Sequence, residues 1–234
     1  MPFFGTEGKT VRYQWTSLPL SAVKRQDYTI NDCVLAAYLF TLASTCPDVE
    51  ALTVHMTVDL RRYLDETSRP VAANLSGMAS VSLPNVPDAS YAALLANVHR
   101  QTSQLKEKPI GLSSAAMMTY LRTLPYAQAK AALAKAADKS RAMGSAAPLL
   151  SNLGRIASNP LTFGQATVKN VLALLPAMHA PSFMLGASGY GDTLTLSAGY
   201  YAEERKADDV KTFLNCLSEV MQEGMRAGCK LVKR

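Results

Sequence analysis

Residues Ala51 to Leu60 alternate between apolar and polar side chains, and this pattern restricts the possible folds more than any other stretch. The apolar side chains are those of Leu52, Val54, Met56 and Val58, and the polar ones are those of Thr53, His55 and Thr57. A period of two predicts a β-strand that is buried on one face only. Such a strand needs a second layer to cover that face, so the chain is expected to form a sheet with helices packed on it.

The segment before this strand predicts one of the covering helices. Thr29 followed by Asp32 is typical of a helix start with an acidic residue in the first turn. Apolar side chains then recur on one helical face, at Val34, Leu35, Tyr38 and Leu42. The helix is expected to end before Cys46-Pro47 and to pack on the core.

The remaining segments continue the alternation of helices and strands. Further strands are predicted at Ala79 to Leu83, Val168 to Leu175, Ser182 to Ala187 and Thr193 to Tyr200, with a turn at residues 188–192. Further helices are predicted at Ser90 to Lys106, at Ser113 to Met143 with a break near Pro125, and at Lys206 to Met225. This order predicts an α/β fold, a two-layer sandwich with a mixed β-sheet covered by helices, as a single domain over residues 1–234.

Charge and composition narrow the possible partners. The 234 residues carry 24 Lys and Arg against 18 Asp and Glu, a net charge of +6, which suits an anionic small molecule such as a phosphate or a nucleotide-bearing cofactor. The basic residues are scattered without a dense run, so nucleic-acid binding is not expected. The apolar stretches are shorter than a membrane span, and the N-terminus lacks the features of a signal peptide. We therefore expect a cytoplasmic protein without a membrane span.

The four cysteines are widely separated and form no C-x-x-C pair. Cys33, Cys46, Cys216 and Cys229 therefore suggest neither a zinc site nor a redox motif, and we expect reduced core thiols and no bound metal.

Five motifs, in order along nearly the whole chain, resemble the C-terminal half of the condensation-like acyltransferases. They are YTINDCVLAAYLFTL at 28–42, VDLRRYL at 58–64, AANLSGMASVSLP at 72–84, LLSNLGRI at 149–156 and LTLSAGYYAEERKADDVKTFLNCL at 194–217. The superfamily includes nonribosomal peptide condensation domains, polyketide-associated acyltransferases, wax ester synthases, alcohol acetyltransferases and chloramphenicol acetyltransferase. The resemblance implies a chloramphenicol-acetyltransferase-like fold.

The resemblance also implies an incomplete enzyme. Two-domain members are about twice as long, and their N-terminal half carries a His-His-x-x-x-Asp-Gly motif whose second His is the base toward a hydroxyl or amine that attacks a thioester. This chain is expected to be the acceptor-side half, with acyl-CoA or a phosphopantetheine thioester as donor and an alcohol or amine as acceptor. Its expected partner is the missing N-terminal half or further copies of itself, and alone it is expected to be inactive, whether it is a split-gene subunit, a truncated relative or an expressed domain.

His55 and Asp59 have the His-x-x-x-Asp spacing of the family motif but not its setting. On a strand, residues four apart lie on one side and are separated by roughly 13 Å, which is too far for Asp59 to hold the imidazole of His55. We therefore predict no catalytic residue here and a structural or pocket-lining role for His55.

Other residues acquire roles from the resemblance alone. The arginine matching Arg61 braces the motif aspartate of the other half, which implies a supporting role for Asp59 and Arg61; a surface ion pair at a strand end is the alternative. The Ser-Asn-x-Gly segment that lines the substrate tunnel in relatives matches Ser151 and Asn152, and Asn74 precedes a sheet strand as in relatives. These three residues are our predicted substrate-binding residues, and plain turns are the alternative.

The last strand shows a departure from the single-domain members of the family. They carry the catalytic motif just before the last helix, where this chain has Gly199-Tyr200-Tyr201-Ala202-Glu203-Glu204-Arg205. Tyrosine, with an ordinary pKa near 10, is a poor proton acceptor at neutral pH. His99 and His179 have no partner recognisable from sequence. A non-catalytic binding or self-associating protein with the same fold therefore remains the alternative to a half-enzyme.

Overall fold

A six-stranded mixed sheet is the frame of the molecule. The computed structural model describes residues 9–45, 49–69, 72–84, 89–142, 146–180 and 182–224, without the side chains of residues 137, 140 and 141. The strands of the sheet are β1 (Val11–Pro19), β2 (Ala51–Asp59), β3 (Ser76–Pro84), β4 (Leu149–Arg155), β7 (Met184–Tyr190) and β8 (Thr193–Tyr201). A separate small hairpin consists of β5 (Thr162–Phe163) and β6 (Ala166–Thr167).

The strand order is β1-β8-β7-β4-β2-β3. β4 lies at the centre and runs parallel to both of its neighbours, β2 and β7, whereas all other pairs in the sheet are antiparallel. A parallel connection needs a long crossover. The chain between β2 and β4, which contains β3 and three α-helices, provides it for one pair, and the chain between β4 and β7, with the β5–β6 hairpin, provides it for the other. The carboxyl ends of β2, β4 and β7 consequently meet at one edge of the sheet.

Helices cover one face of the sheet. The helices are the short α1 (Leu20–Val23), α2 (Ile30–Thr45), α3 (Tyr91–Lys106), α4 (Leu112–Thr123), α5 (Tyr126–Ala142) and α6 (Ala207–Glu223). The cover is formed mainly by α2, α3 and α6, whereas no residue of α4 is buried. The helix α2 lies between α3, α6 and the sheet, and most of its residues are buried. It is therefore the central element of the hydrophobic core.

The alternating strand lies as predicted. In β2, Leu52, Val54, Met56 and Val58 are buried, while the polar residues between them are partly exposed on the other face. On that face three cross-strand side-chain pairs form a polar ladder, with oxygen or nitrogen atoms 2.8 to 3.2 Å apart. The pairs are Thr53–Ser82, His55–Ser80 and Thr57–Ser151. The predicted α/β sandwich with a mixed sheet is confirmed.

The strand predicted at Val168 to Leu175 is wrong. This segment has no regular structure and is hydrogen-bonded to side chains of β7 and β8, at Ser188 and Ser197. Both of those strands already have a hydrogen-bonded neighbour on each side, so the sheet offers the segment no free edge. Instead, Ser197 Oγ donates to the Ala173 carbonyl oxygen at 2.7 Å, and the Leu175 side chain lies against Gly186, where a Cβ would leave too little room.

Several elements were not predicted, among them the central strand β4, which the sequence shows only as a short apolar segment, and the short helix α1. Strand β1 forms one edge of the sheet and has Leu18 as its only buried residue. Its residues 11–16 alternate between apolar and polar side chains, so the signal for this strand was present in the sequence and was missed. The β5–β6 hairpin has only two residues in each strand, and all four residues are exposed. Such a short element produces no periodic signal.

The cysteines differ in state. Cys33 is a buried free thiol, as expected, whereas Cys216 is disulfide-bonded, so the prediction of a reduced thiol is wrong at that position. Cys46 and Cys229 lie outside the described residues. Within the described ranges, no helix combines the length and the apolar character that a membrane crossing requires.

A buried carboxylate joins α2 to α3. The Asp32 side chain is fully buried, accepts hydrogen bonds from the Thr102 hydroxyl at 2.7 Å and the Thr29 N–H at 3.0 Å, and lies 3.0 Å from His99 Nδ1. Burial raises the pKa of Asp32, but the bonds from His99, Thr102 and Thr29 together outweigh it, so the pKa lies below its usual value of 3.8. Asp32 therefore stabilises the fold in its charged form.

We expect Asp32→Asn to lower the free energy of unfolding at pH 7 by about 2 kcal/mol, because charged hydrogen bonds are replaced by neutral ones. Because the folded-state pKa is lowered, this contribution is complete above the unfolded-state pKa, near 3.9, and is lost as the pH falls through the lower folded value. Urea unfolding between pH 7 and pH 3 should show the two proteins converging at the acid end. The exposed Asp27→Asn is the control, and a constant difference across this range would contradict the assignment.

Candidate functional site

The predicted substrate-binding residues of β4 lie at the carboxyl end of the central strands. The Asn152 amide nitrogen donates to Asn31 Oδ1 on α2 at 3.2 Å, and its own oxygen accepts from the Gly154 N–H at 2.9 Å. The next residue back, Ser151, points to the opposite face and accepts a hydrogen bond from the Thr57 hydroxyl at 3.2 Å. The structure therefore places the two residues on different faces of the sheet.

Asn152 lines a cleft of about 400 Å³ at this edge. The walls come from α1, the start of α2, the end of β4 and the turn between β7 and β8. Apolar side chains line part of it, and two cations lie at its border; the residues concerned are Leu20, Ile30, Leu194, Lys24 and Arg155. The one carboxylate among the lining residues, that of Asp192, accepts a hydrogen bond from the Ser21 hydroxyl at 3.1 Å. A mixed apolar and basic cleft suits a ligand with an apolar chain and an anionic group.

The cleft lies next to exposed apolar side chains, which we call the apolar rim: Leu153, Ile156 and Phe163. Their exposed fractions are 49%, 36% and 76%. The Ile156 N–H donates to the carbonyl oxygen of Gly189, a cleft residue, and the hairpin that carries Phe163 is tied to the hydroxyl of Tyr190 through residues 161 and 168. Clustered apolar side chains that are exposed to water raise the free energy of the protein, and a partner that covers them removes this cost. The rim is therefore a candidate surface for binding another protein or domain.

Asp59 and Arg61 are organised within the chain itself. Asp59 is the N-cap of a 3-10 turn (Leu60–Tyr63) and accepts from the Arg61 N–H at 3.0 Å. The guanidinium of Arg61 contacts Asp59 Oδ1 at 3.2 Å and donates to the Ala73 carbonyl oxygen at 2.7 Å. These contacts fix the direction of the arginine side chain, which remains one-third exposed.

Asn74 lies beside this pair, since it follows Ala73 and precedes β3 by two residues. Its side chain is exposed. No hydrogen bond of its side chain occurs among the described residues, so the turn that it was expected to satisfy does not depend on it there. All five predicted site residues lie at the same end of the sheet, but only Asn152 lines the cleft.

The three histidines all have partners. His55 lies inside β2, as predicted, and its Nδ1 is 2.8 Å from Ser80 Oγ. His99 and His179 have no partner that the sequence reveals, but the structure gives each of them one: His99 Nδ1 lies 3.0 Å from Asp32 Oδ2, and His179 Nδ1 lies 2.7 Å from Glu204 Oε1. Their partners are 67 and 25 residues away in sequence, so no local spacing could have indicated them.

The pair of His179 and Glu204 belongs to a cluster that was not predicted from the sequence, in which the side chains of Glu204 and Arg205 are buried and that of His179 is 47% exposed. Glu204 also accepts from the Ala180 N–H at 2.8 Å, and the imidazole of His179 stacks on Tyr201 at 3.9 Å. The neighbouring Arg205 is buried and donates to the carbonyl oxygens of Met178 and Ser182. These bonds tie the irregular segment after β6 to the end of β8, so the structure gives the cluster an anchoring role.

No metal-binding cluster is present in the part of the chain that the structure describes. Groups of three or more His, Cys, Asp or Glu side chains that could hold an ion are absent from it.

No protein family and no curated protein sequence matches the chain, but solved structures do. TRI3 trichothecene 15-O-acetyltransferase from Fusarium sporotrichioides superposes with a TM-score of 0.71 at 16% identity, over 96% of this chain and 49% of its own. The epimerization domain from the third module of tyrocidine synthetase B matches with a TM-score of 0.64 at 13% identity, over 95% of this chain and 50% of its own. The wax ester synthase/diacylglycerol acyltransferase from Marinobacter aquaeolei VT8 matches at 0.58 and 17% identity, over 92% and 48%.

These similarities define the class of fold. The chain has the chloramphenicol-acetyltransferase-like α/β fold of the condensation-like acyltransferases, as the sequence motifs predicted. It spans about half the length of each of the three proteins it resembles.

The two candidate asparagines allow a direct comparison. We expect Asn152→Ala to lower the free energy of unfolding by about 1 to 2 kcal/mol, because Asn31 Oδ1 and the Gly154 N–H lose the hydrogen bonds that Asn152 makes to them. For the exposed Asn74→Ala we expect a change below about 0.5 kcal/mol. Urea unfolding of both variants measures the difference, and equal losses would show that the hydrogen bonds of Asn152 do not hold this edge together.

Proposed function

We propose that this chain is the acceptor-side C-terminal half of an O- or N-acyltransferase that uses acyl-CoA or a carrier-bound phosphopantetheine thioester. The observation that carries the proposal is that the chain matches two-domain acyltransferase and peptide-synthetase structures along almost its full length and covers half of theirs. The other half, on the same polypeptide or on a second chain, supplies the His-His-x-x-x-Asp-Gly motif. A cytoplasmic location is part of this proposal.

In the assembled enzyme, the chemistry divides between the halves. The second histidine of the partner's motif takes the proton from the acceptor hydroxyl or amine, whose oxygen or nitrogen attacks the thioester carbonyl carbon. The carbon–sulfur bond breaks, and the thiolate leaves as the thiol with that proton. The polar groups of Asn152 bind substrate or the developing oxyanion at the cleft. Ser151 and Asn74 lie at the same end of the sheet but outside the cleft, and they bind parts of the substrate that extend beyond it.

The cleft supports a thioester donor with phosphate groups. Lys24 and Arg155 provide positive charge at its border, while Leu20, Ile30 and Leu194 provide apolar wall. A CoA or phosphopantetheine donor combines phosphate with an apolar acyl chain, so its two parts correspond to the two kinds of lining.

The apolar rim supports a docking position for the other half. The rim lies beside the cleft, whereas the polar ladder on the second face of the sheet has its side-chain groups paired within the chain. Docking at the rim would bring the catalytic motif to the end of the sheet where the predicted site residues lie. Arg61, fixed by Asp59 and Ala73, would then brace the motif aspartate across the interface.

We expect a chain of similar size that carries His-His-x-x-x-Asp-Gly, sought first among products of neighbouring genes, to form a heterodimer with this protein and release thiol from an acyl thioester. This chain alone should form no thiol. Leu153→Ser with Phe163→Ser should weaken the heterodimer by about 2 to 3 kcal/mol, because these side chains would lose their buried contacts. Titration by calorimetry and a thiol-release assay measure both effects.

The matched control is Met117→Ser with Tyr126→Ser, which removes equally exposed apolar groups from α4 and α5 and should leave the heterodimer intact. Thiol release by this chain alone, or an inactive complex with the motif-bearing chain, would contradict the half-enzyme. A protein that forms no heterodimer and self-associates through the rim would instead be the non-catalytic binding protein that is our second candidate. The intrachain bonding of all three histidines favours that candidate.

The brace has a separate test in the assembled enzyme. We expect Arg61→Lys to lower kcat by about 100-fold with little change in KM, because the planar fork is lost while the charge remains and the partner's aspartate is displaced. Steady-state kinetics measure the split, and unfolding of this chain alone should change by less than about 1 kcal/mol. Unchanged kcat would leave Arg61 as a local ion pair with Asp59.

A further inference from the structure

The two helices α4 and α5 form an arm that the core does not cover. None of the residues in α4 is buried, and every described side chain of α5 is exposed except that of Ala129, which is half-buried. The arm joins the body through the first turn of α4, where Ser114 Oγ accepts from the Met78 N–H at 2.8 Å and Ala115 packs against the core. Hydrophobic burial by the rest of the chain therefore does not account for the apolar side chains of the arm.

Those side chains concentrate around the junction of the two helices. Tyr120 lies in the last turn of α4 and Tyr126 directly follows Pro125, and they are 63% and 80% exposed. Met117 and Met118, one turn earlier, are 54% and 52% exposed, and Leu133 on α5 is 50% exposed. Side chains of this size at such exposure are expected to have a partner.

The arm also has a net positive charge that is large for its length. Residues 112–142 contain a net charge of +4, against +6 for the whole chain, because their only acidic residue is Asp138 and their basic residues are Arg122, Lys130, Lys135, Lys139 and Arg141. Arg122 and Lys130 are exposed and lie within a few residues of the two tyrosines. The arm therefore combines exposed tyrosines with neighbouring cations.

We propose that the junction of α4 and α5 docks on an anionic lipid surface. Tyrosine side chains partition to the boundary between headgroups and acyl chains, and lysine and arginine side chains bind anionic headgroups while their aliphatic stems lie along the apolar layer. A second copy of the chain is disfavoured as the occupant, because two arms of charge +4 repel each other. A protein partner would need a preformed pocket for the side chains of the junction, whereas a lipid interface is fluid and can accommodate them without one.

Vesicle binding of the full chain tests the proposal. We expect binding to vesicles of phosphatidylcholine mixed with phosphatidylglycerol, little binding to vesicles of phosphatidylcholine alone, and weaker binding at high salt. Arg122→Ser and Lys130→Ser should each reduce the partition coefficient about fivefold, and Tyr120→Ser with Tyr126→Ser about tenfold. Co-sedimentation measures each value.

Two controls separate this proposal from simpler explanations. Lys169→Ser with Lys211→Ser removes the same charge from exposed positions outside the arm and should have less than half the logarithmic effect of the arm pair Arg122→Ser with Lys130→Ser. Leu153→Ser with Phe163→Ser removes the apolar rim and should leave vesicle binding unchanged. The rim variant thus affects the proposed half-enzyme without affecting the arm, so the two proposals can fail independently.

Three outcomes would overturn the proposal: no binding to the anionic vesicles, equal binding by the arm variants and the unaltered chain, or binding of the arm to poly-glutamate with none to vesicles. The last would identify an acidic protein surface as the occupant. Circular dichroism should show unchanged helix content in each arm variant, because the substituted side chains are exposed.

Discussion

The parallel pairing of β4 with both of its neighbours determines the position of everything else in this structure. It brings the carboxyl ends of β2, β4 and β7 to one edge, where the cleft, the apolar rim and the predicted site residues lie. The pairing of β2 with β4 is short, since only His55–Leu149 and Met56–Leu150 are in register. The bond between Thr57 and Ser151 and that from the His55 N–H to the Pro148 carbonyl oxygen extend it. Ser151 therefore stabilises the pairing of β2 with β4, independently of any contact with a substrate.

The sequence predicts an element of this fold where the apolar and polar side chains of that element follow a regular period. Local patterns predict the strand Ala51–Asp59 and the helix Ile30–Thr45. The strand is buried on one face and partly exposed on the other, and most residues of the helix are buried. The segment Val168 to Leu175 has the composition of a strand, but its conformation is decided by the strands beneath it, which have no free edge. The pairing of Asp32 with His99 is a tertiary contact without any local signal. For the site, the motifs locate Asn152 at the cleft, but only the structure shows that Ser151 faces away from it.

The polar and apolar side chains on the surface are not arranged as one large apolar contact face. The second face of the sheet has its polar side chains bonded to one another along β3, β2 and β4, so covering it with an apolar partner would bury satisfied groups for little gain. Exposed apolar side chains lie at the rim beside the cleft and in the arm, and others lie elsewhere on the surface, among them Trp15 on β1 and Leu174. The two regions differ in charge, because the described rim side chains are uncharged whereas the arm carries a net charge of +4. They are therefore suited to partners of different chemistry.

This separation has a consequence for how a half-enzyme could use a lipid surface. The arm extends from the end of α3 and leans on β3, whereas the cleft lies between α1, α2 and the ends of β4 and β7. A chain held by the arm would keep its cleft and rim available for a second domain and for a thioester. Binding at the arm would then change where the protein acts without occupying its site, and the two functions would be coupled through local concentration.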